Sequence, residues 1–135
     1  MPNTSPELQE RRVLVIEDNL ELAEIFADVL SDSGFVVDII HDGQDALDWL
    51  NDEHGMLPDI ITLDMHLPRV SGDTILKHIR STGRLANMTV VVITANPILG
   101  DMIDPLADMV LLKPVSYDQV STLVDRLAIR YSPDA

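Results

Sequence analysis

The strongest constraint on the fold is an alternation. Short apolar runs, mostly β-branched, recur at Val13–Ile16, Phe35–Ile40, Asp59–Leu63, Thr89–Ile93 and Met109–Leu112, and segments with helical spacing lie between them. Four of the five runs are almost continuously apolar, which predicts strands covered on both faces. The run at 35–40 is broken by Asp38 and is expected at an edge. Leu22, Ile25, Phe26, Val29 and Leu30 fall on one helical face, with Gly34 as the stop. Ala46, Leu47 and Leu50 mark a shorter second helix, and Ile75, Leu76 and Ile79 a third. Val120, Leu123, Val124 and Leu127 mark a last one, with Ser116 as N-cap and Gln119 completing a capping box. Strands alternating with helices form βαβ units, and right-handed crossovers place helices on both faces of a parallel sheet. The expected class is α/β, a doubly wound parallel sheet.

A chain of 135 residues is one domain, able to bury roughly two-thirds of its unfolded surface. Nine Lys and Arg against 23 Asp and Glu give a net charge of −14. That balance argues against nucleic-acid binding, which needs a basic face, and against docking on anionic membranes. There is no cysteine, which excludes disulfides, thiolate zinc sites and thiol catalysis. No apolar run approaches the ~18 residues of a membrane span, and Met1–Arg12 lacks an apolar signal core. The expected location is cytoplasmic. Residues 1–10 read as a flexible leader, 11–132 as the domain and 133–135 as a tail.

In doubly wound folds, function gathers at the carboxyl ends of the strands. Here those positions hold Glu17-Asp18-Asn19, Asp64-Met65-His66, Thr94-Ala95-Asn96 and Lys113-Pro114. Two unit charges about 4 Å apart repel by roughly 4 kcal/mol at an effective dielectric near 20, so three clustered carboxylates must protonate or recruit a cation. Mg²⁺ suits such a site, since it takes few carboxylates, keeps waters and accepts phosphate oxygens. Lys113 adds a second positive charge, and the Thr94 hydroxyl can donate to a phosphoryl oxygen. A carboxylate is also a competent nucleophile at phosphorus. The set reads as a phosphoryl-transfer site. Singly, each residue has a plain structural reading: Glu17 and Asp18 as helix-starting acids, Lys113 as a loop lysine, Thr94 as a strand former. Their joint occurrence at four strand ends favours the chemistry. Gly43 and Gly72 read as structural and Trp49 as a packing residue. The histidines at 41, 54, 66 and 78 lack metal-ligand spacing.

The ordered motifs VLVIEDN at 13–19, DGQDAL at 42–47, PDIITLDMHLPRVSG at 58–72, ILKHIR at 75–80, VVVITA at 90–95 and LLKP at 111–114 resemble the receiver domain of response regulators in two-component signalling. The resemblance runs from about Arg12 to Tyr131. It implies a flavodoxin-like five-stranded sheet of order 2-1-3-4-5. It implies Asp64 as the phospho-acceptor, with Glu17, Asp18, Asp64 and the backbone carbonyl of His66 around Mg²⁺. Thr94 and Ala95 would bind the phosphoryl group, Thr94 reorienting on phosphorylation, and Lys113 would neutralise it. The Lys113–Pro114 peptide would be cis. The side chains of His66 and Asn96 would border the attacking water and tune dephosphorylation. The implied partner is a sensor histidine kinase or histidine phosphotransfer protein, and the implied role is signalling through protein contacts, with no metabolic turnover. With the chain ending at Ala135, a stand-alone receiver is expected. The alternatives are a degenerate receiver that binds partners without phosphorylation, and a haloacid-dehalogenase-like phosphatase. The latter wants a second Asp where His66 stands.

Two features depart from the family. Its usual Tyr or Phe in the fifth strand is replaced by Val110, so the expected readout differs from a Thr-to-aromatic switch. The stretch from Thr94 to Lys113 is short and contains Pro97, Gly100 and Pro105. A proline inside a helix costs about 3 kcal/mol or more. The expected fourth helix is therefore one turn near Leu99–Ile103 or an irregular loop, with Ile98, Leu99, Met102 and Ile103 covering the sheet or, alternatively, forming a partner-binding patch. The usual output and dimer face of the family is then remodelled.

Overall fold

The structure is a computed structural model and describes residues 10–131. The expected leader, apart from Glu10, and the expected tail lie outside the described residues. Five strands and five helices alternate: β1 (Arg12–Ile16), α1 (Leu20–Asp32), β2 (Val36–Ile40), α2 (Gly43–Asn51), β3 (Ile60–Asp64), α3 (Gly72–Ser81), β4 (Thr89–Thr94), α4 (Pro97–Ile103), β5 (Met109–Leu112) and α5 (Tyr117–Arg130). All strand pairs are parallel, in the order β2-β1-β3-β4-β5. The expected α/β class and strand order are both present.

Successive residues of each central strand feed opposite faces, as a pleat requires. Leu14, Ile16, Ile61, Leu63, Val90 and Val92 pack with α2, α3 and Ile103 of α4. Val13, Val15, Ile60, Val91 and Ile93 pack with α1 and α5 through Phe26, Leu30, Val120 and Leu127. This two-sided burial explains why β3 and β4 carry almost no polar residue before their last position. Gly34 ends α1 at φ +95°, and Ser116 and Gln119 form the capping box of α5. Trp49 packs on the face shared by α2 and α3. Among the described residues, no helix is long and apolar enough to cross a membrane.

Three expectations need correction. Met109–Leu112 does not form a strand covered on both faces: β5 is an edge strand, only partly buried, with Leu112 exposed. The fourth helix begins at Pro97, two residues earlier than expected. Pro97 sits in its first turn, where a missing N–H costs nothing, and the Asn96 side chain accepts from the Ile98 and Leu99 amides. The helix is still only seven residues long, and one turn of 3₁₀ helix, Asp104–Leu106, follows it with Pro105 in its first turn. Its apolar residues divide. Ile103 is buried and Leu99 packs beside it, whereas Ile98 and Met102 are 71% and 73% exposed. The segment after α4 is fastened by Arg80 of α3, which donates to the Leu106, Ala86 and Met88 carbonyls and to Asp108.

Candidate functional site

The sheet order brings distant residues to one rim. Glu17 directly follows β1, and Asp64 is the last residue of the neighbouring β3. Thr94 ends β4, and Lys113 follows β5. The lysine is long enough to cross back over the strand ends. Its Nζ lies 3.1 Å from Glu17 Oε2 and 3.2 Å from Asp64 Oδ2. Glu17 and Asp64 are fully buried, while Asp18 is exposed at the opening. Glu17, Asp18 and Asp64 each offer one carboxylate oxygen within 4.8 Å of the others.

Backbone groups hold these acids in place. The His66 amide donates to Asp64 Oδ1 at 3.0 Å, and the Asn19 amide donates to Glu17 Oε2 at 3.2 Å. A methyl group at Gly72 would meet the Asp64 carbonyl oxygen at 2.2 Å, so glycine lets α3 start close behind β3. The Lys113–Pro114 peptide is cis.

The electrostatics separate the two buried acids. Burial, and then the neighbouring Asp64, push the Glu17 carboxyl up to about 8. Burial and Asp64 also raise Asp18. Burial would likewise raise Asp64, but the neighbouring Glu17 carboxyl, the His66 amide, Asp18 and the Lys113 charge outweigh it and hold Asp64 below its ordinary range. Without a cation, Glu17 is thus pushed toward its protonated form and Asp64 toward the ionised carboxylate, the form that attacks phosphorus. Lys113 is raised because contact with Glu17 and Asp64 outweighs its own desolvation.

The donor set fits a hard divalent cation. Three carboxylates share one ammonium, and buried Glu17 Oε1 has no hydrogen-bond partner among the described residues. An orphaned carboxylate oxygen in a dry site is costly unless a cation or water meets it. Oxygen-only ligands at a partly open rim suit Mg²⁺.

The remaining candidates are less close to this cluster. Thr94 is buried, and its Oγ1 accepts from the Asn96 amide at 3.0 Å. Ala95 is exposed on the rim. The Asn96 side chain is engaged as the N-cap of α4. The His66 side chain is exposed beside Asp64. Val110 lies in the middle of β5, away from the carboxylates and against the core facing α4.

Two neighbours were not signalled by the sequence. The His41 Nδ1–H donates to the Glu17 carbonyl at 2.9 Å. Arg69 bridges the loop after β3 to the start of α2. Only His41's position just after β2, itself beside β1, gave a hint.

Residues 13–125 match the family model of the response regulator receiver domain. "Response regulator MprA" of Mycobacterium avium is 30% identical over 126 residues, which are 91% of this chain and 53% of that protein. The chain therefore spans about half the length of the curated relatives it matches. Among solved structures, the phosphorylated cyanobacterial phytochrome response regulator RcpA superposes with a TM-score of 0.81 at 24% identity, covering 94% of this chain and 97% of that one. The Mn²⁺-bound form of response regulator Rcp1 superposes with a TM-score of 0.77 at 25% identity, over 87% of this chain and 91% of that one.

Proposed function

The chain belongs to the response regulator receiver domain family, and from that premise we propose that Asp64 accepts a phosphoryl group from a phosphohistidine of a sensor kinase or phosphotransfer protein. The observation that carries this reading is geometric: the fully buried Asp64 closes β3 with one carboxylate oxygen 3.2 Å from the Lys113 ammonium and the other 3.0 Å from the His66 amide, beside Glu17 and Asp18.

In the transfer, a carboxylate oxygen of Asp64 forms the new bond to phosphorus as the phosphorus–nitrogen bond breaks. The departing imidazole takes the electron pair and then a proton. Lys113 already faces Asp64 Oδ2 and follows the charge onto the phosphoryl oxygens. The Thr94 hydroxyl leaves the Asn96 amide to donate to one of those oxygens, and the backbone at Ala95 borders the same oxygens. Glu17, Asp18, Asp64 and the His66 carbonyl would hold Mg²⁺, which when bound supplies positive charge to the carboxylates and phosphoryl group. That the similar response regulator Rcp1 has an Mn²⁺-bound form supports binding of a divalent ion. The phospho-aspartate hydrolyses slowly, with His66 and Asn96 flanking the water's approach, and the domain acts in the cytoplasm through protein contacts.

The test is phosphorylation by acetyl phosphate with Mg²⁺, followed by intact mass. A phosphoryl adduct on the native protein that is absent from Asp64→Asn supports the reading. No adduct on the native protein, or equal labelling of the variant, refutes it.

A further inference from the structure

The loop between Asp64 and α3 contains Arg69, the one non-glycine residue with positive φ among the described residues, at +67°. A side chain held in the left-handed region persists only where its surroundings over-determine it. Here they do. Arg69 Nε donates to Asp42 Oδ2 and Nη2 donates to Asp45 Oδ1, both at 2.8 Å. Asp42 is itself the N-cap of α2, since its other oxygen accepts from the Gln44 and Asp45 amides. The backbone is interlocked at the same place. The Gly43 amide donates to the Pro68 carbonyl at 3.0 Å, and a methyl group at Gly43 would meet the Val70 carbonyl oxygen at 1.8 Å. Three consecutive loop residues thus grip the first turn of α2. The loop so gripped begins at His66, whose amide already holds Asp64 Oδ1.

We infer that Arg69 is a positioning residue: by fastening the loop after β3 to the start of α2, it fixes the His66 peptide beside Asp64 and so sets the affinity of the site for Mg²⁺ and the phosphoryl group. The inference rests on the phosphoryl reading above. The Arg69 guanidinium spans Asp42 and Asp45 through two different nitrogens, Nε and Nη2, a geometry that the single nitrogen of a lysine does not reproduce. Neighbours that orient ligands without touching the ion typically change affinity tenfold or more.

The experiment measures Mg²⁺-dependent beryllofluoride binding by calorimetry, and amide hydrogen exchange across 65–72, on the intact chain. Arg69→Ala is expected to weaken binding about tenfold, with faster exchange at the His66 amide and little change in melting temperature, because the ion pairs are exposed. Arg69→Lys should not restore it. Asp42→Asn, which keeps the cap oxygen and removes the charge, should weaken binding similarly, and the double variant should be no worse than either single one. Unchanged affinity and exchange in Arg69→Ala, with the native protein binding normally, overturns the inference alone. A native protein that binds no beryllofluoride overturns the phosphoryl reading and this inference with it. A fall in melting temperature without a change in affinity assigns Arg69 to stability and also overturns it.

Discussion

Mg²⁺ affinity is expected to depend on pH through Glu17. The carboxyl is fully buried and pushed up to about 8, first by desolvation and then by Asp64. To ligate a cation it must lose its proton. One proton released per ion bound gives a Kd that rises as pH falls below 8, approaching tenfold per unit. For a single proton this is roughly fiftyfold between pH 8 and pH 6. Asp64 adds nothing to this slope, because it is held below its ordinary range and stays ionised throughout. The same proton sets the stability of the metal-free fold. Between the ordinary Glu value of 4.5 and about 8, the folded chain binds the proton and the unfolded chain does not. Stability therefore falls as pH rises through that window, and the penalty vanishes below it. Stabilisation by Mg²⁺ should accordingly be greatest at the alkaline end.

Calorimetric titration at pH 6, 7 and 8, in buffers of differing ionisation heat, reads both the Kd and the protons released. Glu17→Gln should bind more weakly and lose the slope. A native Kd constant within twofold from pH 6 to 8, without proton release, would refute the assignment of the proton to Glu17.

Lys113→Met removes the one ammonium beside two buried acids and should destabilise the metal-free fold by about 3 kcal/mol at pH 8, less at pH 6; equal urea midpoints at both pH values would contradict this. Asp64→Asn removes a carboxylate from a crowded cluster and, besides abolishing labelling, should raise the metal-free melting temperature at pH 8 by a few degrees, as scanning calorimetry can show. Gly43→Ala forces a methyl group into the Val70 carbonyl and should cost more than about 3 kcal/mol in chemical denaturation. Val110→Tyr should destabilise by roughly 1–3 kcal/mol through overpacking against α4, and an unchanged midpoint would show that a ring fits there.

How far the sequence could be read depended on where contacts lie along the chain. β3 and β4 were legible because strands covered on both faces must be apolar throughout, and the acid closing β3 then stands out. Glu17, Asp18 and Lys113 followed from strand-end positions alone. β5 differs from its expected cover because four apolar residues look the same in a central strand and an edge strand. What decides is the neighbouring cover: β5 has a strand on one side only, and Leu112 is exposed. In the sequence Pro97 looks like a helix breaker, although in the first turn it is well tolerated. His41 and Arg69 were hidden because their partners lie 24 to 27 residues away, and no local pattern marks such a pair.

Val110 and the short α4 meet at one place. A methyl group at Gly100 of α4 would lie 3.4 Å from Val110 Cγ1, 3.5 Å from Thr94 Cγ2 and 3.7 Å from Leu112 Cδ2. Gly100 of α4 therefore faces the ends of β4 and β5 across a gap that an added methyl group would just fill. A large ring at 110 would need the volume that the backbone at Gly100 occupies, so a small residue in the strand and a close helix imply each other. Pro97 and Pro105 bound the segment that fits this space. The Thr94 hydroxyl is meanwhile tied to the amide of Asn96, the residue that caps the same helix. The Thr94 hydroxyl thus meets the cap of α4 through Asn96 while its methyl faces Gly100, and turning that one side chain is expected to disturb the start of the helix with no ring in between.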